Sequence, residues 1–307
     1  MASVPIGDVP GDGPRIRDVS ELLGIPAPTL RSWERRYGVP TTTRSVGGHR
    51  RYAPEDLQQL RLMRDEVARG LRASDAARAV RLLLDQDNPS MGRITRLLDA
   101  SERSDAVALR AVLDESRVEL GLGVTIDQVV MPAMRQVGAW WESGRCGVAQ
   151  EHHTTETIRG WFARLTTLSA ARTGESPILL ACGPRDQHTV GLEALGALLA
   201  ELHRSSRSMG ARTSQEALVA AAVATDAAAV VVVSHLRAQR RPAVEALLAV
   251  ARTGTPTFYA GNAFSFPAQR LGVPGTYLGT SLSVAAGTIV EHLRPGRQGP
   301  RRPEEVA

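Results

Sequence analysis

Thr29-Leu-Arg-Ser-Trp-Glu-Arg-Arg-Tyr37 decides the fold of the first quarter of the chain. Pro28 suits the first position of a helix carrying these residues and Gly38 ends it, although Ala27 is a weaker cap than Ser or Asp. Just upstream, Asp18-Val-Ser-Glu21 has the form of a capping box. It opens a short helix with Val19, Leu22 and Leu23 on its apolar side and Gly24 as its stop. Two short helices across a tight turn predict a helix-turn-helix. From Pro40 to Tyr52, strand-like ends flank the hairpin-turning pair Gly47-Gly48, with Arg44, His49, Arg50 and Arg51 beside it, which predicts a basic wing. A longer helix from Pro54-Glu55-Asp56 repeats Leu57, Leu60, Met63 or Arg64, and Val67; Ser74 caps another that ends near Leu84. These two brace the head.

The polar run Asp85 to Ser90 breaks helical order and reads as a linker. From Met91 to about Thr173 the apolar repeat is helical: Ile94, Leu97 and Leu98, then Val107, Leu109, Val112 and Leu113, then Ile126 onward. Four helices are expected, with Pro132 kinking the third and Ser143 to Gly147 turning between the third and fourth. That turn should place Trp141 near Glu151 and His152. After Gly174-Glu-Ser-Pro177 the pattern alternates between strand and helix. Pro177 to Cys182, Val230 to Val233 and Thr257 to Ala260 are buried strands, Gly191 to His203 a helix, Thr276 to Leu278 an edge strand, and Arg207 to Ala211 a poor strand. Such alternation predicts a doubly wound parallel sheet, flavodoxin-like, with its ligand site beyond the carboxyl ends of the strands. The expected architecture is therefore multidomain: a winged helix-turn-helix over 13–84, a four-helix bundle over 91–173 and an α/β domain over 176–294.

Composition narrows the classes. The 307 residues allow two or three compact domains, and no apolar run approaches the roughly 20 residues of a membrane span. The first residues have neither a basic start nor an apolar core, so they read as a short leader rather than a secretion signal, and a cytoplasmic location is expected. Two cysteines, Cys146 and Cys182, are too few for a disulfide framework or a cysteine metal clamp. The net charge of +5 favours a polyanionic partner; all 37 basic residues are Arg, so charge is informative only where it clusters. The first eighty residues are where it clusters.

The run Thr29 to Tyr37, with Gly48, His49, Arg50, Arg51 and Tyr52, resembles the MerR family of winged-helix regulators over about residues 13 to 84. The resemblance implies a second helix in the major groove of double-stranded operator DNA and a wing on its backbone. Thr29, Arg31 and Trp33, with Arg35, Arg36 and Tyr37 on the same helix, would face DNA, and Arg50 and Tyr52, with Arg44, His49 and Arg51, the phosphates. Arginine suits both tasks, since its fork pairs with guanine edges or phosphate oxygens.

Asp186-Gln-His188-Thr-Val-Gly191 follows the first strand of the α/β domain, Ser234-His-Leu236 ends the next buried strand and Tyr259-Ala-Gly-Asn262 the one after. Three loops thus converge on one edge. Together they resemble the cobalamin-binding domain, with its Asp-x-His-x-x-Gly, Ser-x-Leu and Gly-Gly motifs. The resemblance implies that His188 binds cobalt from below, that Asp186 fixes its tautomer and that Gly191 leaves room for the cofactor's nucleotide tail. Ser234, Leu236, Gly261 and Asn262 would complete the pocket. The last motif departs from the pattern: Ala260 or Asn262 stands where a second glycine is usual.

Trp141, followed after nine residues by Glu151-His152, resembles the cap of the CarH and LitR group of light-responsive B12 photoreceptors, which encloses the adenosyl face of the cofactor. The order of modules agrees. In that group a histidine follows the tryptophan and captures cobalt after photolysis; here Glu142 stands there, leaving His152 or His153 for the role, or a light product without a bis-histidine link. The expectation is a cobalamin-dependent repressor, a homodimer or homotetramer, that holds operator DNA with adenosylcobalamin in the dark and releases it in light. The alternatives are a regulator that does not sense light or has lost the cofactor, and a corrinoid methyltransferase-type protein. No substrate barrel is present and a DNA-binding head stands in its place, so an enzyme is not expected.

Overall fold

A computed structural model describes residues 13–40, 43–44, 50–68, 70–84, 89–142, 146–168 and 175–294. The chain divides into two compact units, 1–85 and 86–307. The turn at Gly47-Gly48, His49 and most of the expected linker lie outside the described residues.

The first unit opens with α1 (Ile16–Leu23) and α2 (Ala27–Tyr37), followed by the two-stranded antiparallel β1 (Thr43–Arg44) and β2 (Arg50–Arg51). Two further helices, α3 (Pro54–Ala68) and α4 (Ala73–Leu84), complete it. Glycine ends both early helices as expected: Gly24 and Gly38 each sit at φ +65°, a left-handed conformation that costs glycine least. The helix starts differ. Helix α1 begins two residues before Asp18, whose carboxylate accepts the Arg15 N–H at 2.9 Å from the third helical position. Ser74 lies inside α4 rather than capping it, and Pro28 is the second residue of α2. Of the three apolar residues expected to face inward on α1, Val19 and Leu23 are buried, whereas Leu22 is 59% exposed. Met63, not Arg64, continues the α3 stripe into the core.

The second unit combines the bundle and the α/β domain. The bundle comprises α5 (Pro89–Glu102), α6 (Ala106–Leu120), a third helical run and α9 (Val148–Leu168). Pro89 and Ser90 are already helical, which shortens the expected linker. Asp105 caps α6, accepting the N–H groups of Val107 and Ala108, and Val107 is left outside the core at 76% exposure. The third run starts as α7 (Leu122–Val124), widens to a π-helix over Thr125–Val130 and continues as α8 (Met131–Glu142). The expected disturbance at Pro132 takes this form. Proline lacks an N–H and its ring crowds the carbonyl four residues back; wider winding, in which Met131 N–H reaches the Ile126 carbonyl, relieves that crowding.

The α/β domain alternates β3 (Ile178–Cys182), α10 (Val190–Glu201), β4 (Ser206–Gly210), α11 (Gln215–Ala224), β5 (Ala229–Val233), α12 (Arg240–Ala251), β6 (Thr257–Ala260), β7 (Thr276–Tyr277) and α13 (Leu282–His292). All strand pairs are parallel, in the order β4-β3-β5-β6-β7. This is the expected doubly wound sheet. Strands β3 and β5 are buried on both faces, as their unbroken apolar runs require. The strand expected to be poor, β4, pairs along β3 as an edge, where main-chain bonding suffices and side chains can stay solvated. The chain changes direction between β3 and β5, so the crevice of the switch point opens where these two strands end. No helix among the described residues is long and apolar enough to cross a membrane.

Candidate functional site

At that crevice the loops after β3 and β5 meet on one carboxylate. Asp186 has no exposed surface, and its main chain is fixed by Asp186 N–H to Gly183 carbonyl (2.9 Å) and Arg212 N–H to Asp186 carbonyl (2.8 Å). Its Oδ1 accepts the His188 backbone N–H at 3.0 Å and lies 2.7 Å from His188 Nδ1. Its Oδ2 accepts the His235 backbone N–H at 2.5 Å and lies 3.1 Å from His235 Nδ1. Burial opposes ionisation of Asp186, but the hydrogen bonds from His188 and His235 outweigh it and hold the carboxyl far below the usual carboxylate range. The same bond to Asp186 raises His188, against a smaller opposing effect of burial. An ionised carboxylate at Nδ1 places the proton of a neutral imidazole on that nitrogen and leaves the Nε2 lone pair free to bind a metal. The His188 side chain is 60% exposed, so that atom is available.

The third loop closes behind Ser234. Gly261 adopts φ +99°, and a Cβ there would stand 2.1 Å from the Ser234 carbonyl oxygen, so only glycine fits. Ser234 N–H donates to Ala260 O and Ala263 N–H to Ser234 O, lacing the ends of β5 and β6 together. The Ser234 hydroxyl is fully buried and has no hydrogen-bond partner, an arrangement that costs about 1–3 kcal/mol until something fills it. Leu236 is 52% exposed, Asn262 begins a short 3-10 turn, and nothing stands within 4 Å of a Cβ built on Gly191. A nitrogen ligand oriented by a carboxylate, an orphan hydroxyl and open space beside Gly191 suit a corrinoid with its nucleotide tail.

The bundle residues are placed more loosely. Trp140 packs in the bundle at 8% exposure, whereas Trp141 stands 50% exposed. Glu151 and His152 lie in the first turns of α9; Glu151 accepts the Thr155 hydroxyl at 2.8 Å, and His152 Nε2 is 3.6 Å from its other oxygen. The Glu142 side chain lies outside what is described.

Two residues escaped the reading of the sequence. His235 sits inside the Ser-His-Leu triplet but gave no signal there, because its partner Asp186 is 49 residues away. Asp127, on the π-helical turn, accepts Leu282 N–H (2.8 Å), Ser283 N–H (3.2 Å) and the hydroxyls of Ser281 (2.8 Å) and Ser283 (2.5 Å). It caps α13 from the bundle and clamps bundle to sheet. A second tie, Arg159 to Glu193 at 2.8 Å, lines a cleft of about 490 Å³ between α9, α10 and β4 that shares no residue with the three loops.

In the first unit the structure corrects two DNA-facing expectations. Trp33 is 7% exposed and Tyr52 fully buried; both pack with Leu30, Val39 and Leu60 in the head's core. These two motif aromatics are part of the head's apolar core, with Leu23, Ile25 and Met63 also around them. Arg50 is tied to α2 through Nε to Glu34 Oε2 at 2.6 Å, which fixes the wing on the helix. Arg31, Arg35 and Arg36 are exposed, Thr29, Tyr37 and Arg51 partly so. The Tyr37 carbonyl accepts the Arg81 guanidinium, and Arg44 is described only as part of β1.

Comparison with known proteins gives the family of the chain. Residues 15–83 match the MerR HTH family regulatory protein and residues 93–166 the B12 binding domain. The chain is 34% identical over 209 residues to the HTH-type transcriptional repressor CarH of Myxococcus xanthus, covering 63% of this chain and 68% of that protein. It is 32% identical over 216 residues to CarA of the same organism, covering 68% and 72%. The monomethylamine corrinoid protein of Methanosarcina barkeri shares the fold of the second unit, with a TM-score of 0.53 at 13% identity over 66% of this chain and 99% of that one. The chain belongs to the family of MerR-type transcriptional regulators with a B12-binding domain, the family of the CarH and CarA repressors.

Proposed function

We propose that this protein is a cytoplasmic, light-responsive repressor, not an enzyme, which holds operator DNA as a homo-oligomer with adenosylcobalamin in the dark and releases it in light. The observation that carries the reading is the Asp186–His188 pair beside the orphan Ser234 hydroxyl, at the switch point of the sheet. When bound, the cofactor supplies a cobalt–carbon bond that light breaks.

The residues have distinct tasks in this reading. His188 would hold cobalt through Nε2, with Asp186 fixing its tautomer and orientation. Ser234 donates its hydroxyl to the nucleotide tail, and Gly191, Leu236, Gly261 and Asn262 shape the cavity around it. Trp141, with Glu151 and His152, covers the upper face and excludes water from it. Asp127 carries a shift of the bundle to α13 and so to the sheet. Arg31, Arg35 and Arg36 are the exposed cations that α2 offers to DNA, with Thr29 beside them. The modules of the sequence reading, 13–84, 91–173 and 176–294, are then output, cap and cofactor domain.

Glu142, in place of the histidine of light-responsive relatives, favours a second reading in which the protein reports B12 status without light. His188→Ala separates cofactor-dependent regulation from a domain that has lost its ligand. Operator affinity is measured by fluorescence anisotropy in the dark, with and without adenosylcobalamin. The expected result is a cofactor-induced gain in the parent that His188→Ala abolishes. Equal affinity in all four samples contradicts both cofactor-dependent readings.

A further inference from the structure

We propose that His235 is a positioning residue for His188, acting through the shared carboxylate of Asp186. The proposal rests on the reading of His188 as the cobalt ligand.

Each oxygen of Asp186 is held by one residue from one loop. His188 contributes its backbone N–H and ring nitrogen to Oδ1, and His235 contributes the same two atoms to Oδ2. The carboxylate is therefore held by the loops after both β3 and β5 and cannot turn about its own axis without disturbing all four contacts. The two rings lie 4.9 Å apart between centroids at an interplanar angle of 49°. Exposure separates their tasks: the His188 side chain is 60% exposed and that of His235 27%, so His188 is the ring open to a ligand and His235 the more enclosed one. A carboxylate that must orient a metal-binding imidazole gains from such a brace, because the direction of Nε2 follows the position of Oδ1.

His235 also moderates the charge felt by His188. With one donor on Oδ1 alone, the full carboxylate would act on His188; with a second imidazole on Oδ2 it is shared. His235 is the second residue after β5, so the orientation of His188 is referred to two adjacent strands of the sheet rather than to one loop.

The test compares the parent, His235→Ala and His235→Asn, whose side-chain amide can replace the Nδ1–H donor. In the cofactor-free protein, nitrogen NMR of the His188 ring reads the Nδ1-protonated tautomer directly. The protein loaded with cobalamin and reduced to Co(II) gives the nitrogen coupling in its electron paramagnetic resonance spectrum, and hydroxocobalamin titration gives affinity. We expect His235→Ala to mix the His188 tautomers and lower affinity by about tenfold, the range of second-shell changes at metal sites. His235→Asn should restore both to within about twofold, and an unchanged melting temperature of either variant shows that the fold is intact. His235→Ala with the parent's tautomer and affinity would overturn the proposal. So would nitrogen coupling that survives in His188→Ala and vanishes in a variant carrying both His188→Ala and His235→Ala, since His235 would then be a ligand. A parent without nitrogen coupling refutes the ligand reading instead, and the cofactor-free tautomer still decides whether His235 positions His188.

Discussion

In the proposed function the three sheet loops and the bundle cap share one cofactor site, yet they are built differently. The loop site is already set without a ligand: a buried carboxylate, four contacts to it, and a glycine against which no side chain fits. The cap is a half-exposed Trp141 and the pair of partly buried Glu151 and exposed His152 at 3.6 Å. Affinity should therefore reside in the loops, and response to the upper ligand in the cap. A preorganised site loses little entropy on binding, whereas an exposed indole must be ordered before it contributes.

Substitutions can break or sharpen this contrast. His188→Ala should lower cobalamin affinity by more than about 100-fold and Asp186→Asn by about 10- to 100-fold, measured by spectral titration with hydroxocobalamin. Losses as small as those at the cap would erase the distinction. Gly261→Ala comes next, since its Cβ would strike the Ser234 carbonyl and its φ is unsuited to alanine. It should cost about 3 kcal/mol, on the order of 5–10 °C in melting temperature, read by calorimetry of the cofactor-free protein. Asp127→Ala removes the clamp between the two regions and should cost about 2 kcal/mol. It should also leave cofactor affinity near the parent's while weakening the effect of light on DNA binding. Smallest is Trp141→Ala: affinity for adenosylcobalamin should fall about five- to tenfold and for hydroxocobalamin hardly at all. Equal losses for both cofactors would deny the cap its selectivity.

The same contrast shows what was legible in the sequence. Asp186, His188 and Gly261 could be found because each motif is short and follows a strand whose apolar run is unmistakable. The parallel sheet and the four helices were readable for the same reason, as periodicity is local. His235 and Asp127 were not, because their partners lie 49 and about 155 residues away and neither residue type is unusual where it stands. Trp33 and Tyr52 were assigned to DNA because a motif names residues without saying which way they face; burial settles that, and it places them in the core. The helix starts at Ile16 and Ala73 were misplaced by three and two residues, since an acid or a serine serves equally as a cap or within the first turn. Pro132 was recognised as a disturbance, but a proline alone does not say whether it produces a kink or the π-helical turn that carries Asp127 to the start of α13.

The most direct test of the account is analytical ultracentrifugation of one adenosylcobalamin-loaded sample, with its absorbance spectrum, before and after green light. The account predicts a stable dark oligomer, a spectral change on illumination, and a shift in sedimentation that accompanies loss of operator binding. A spectral change with unaltered sedimentation and operator affinity would contradict it.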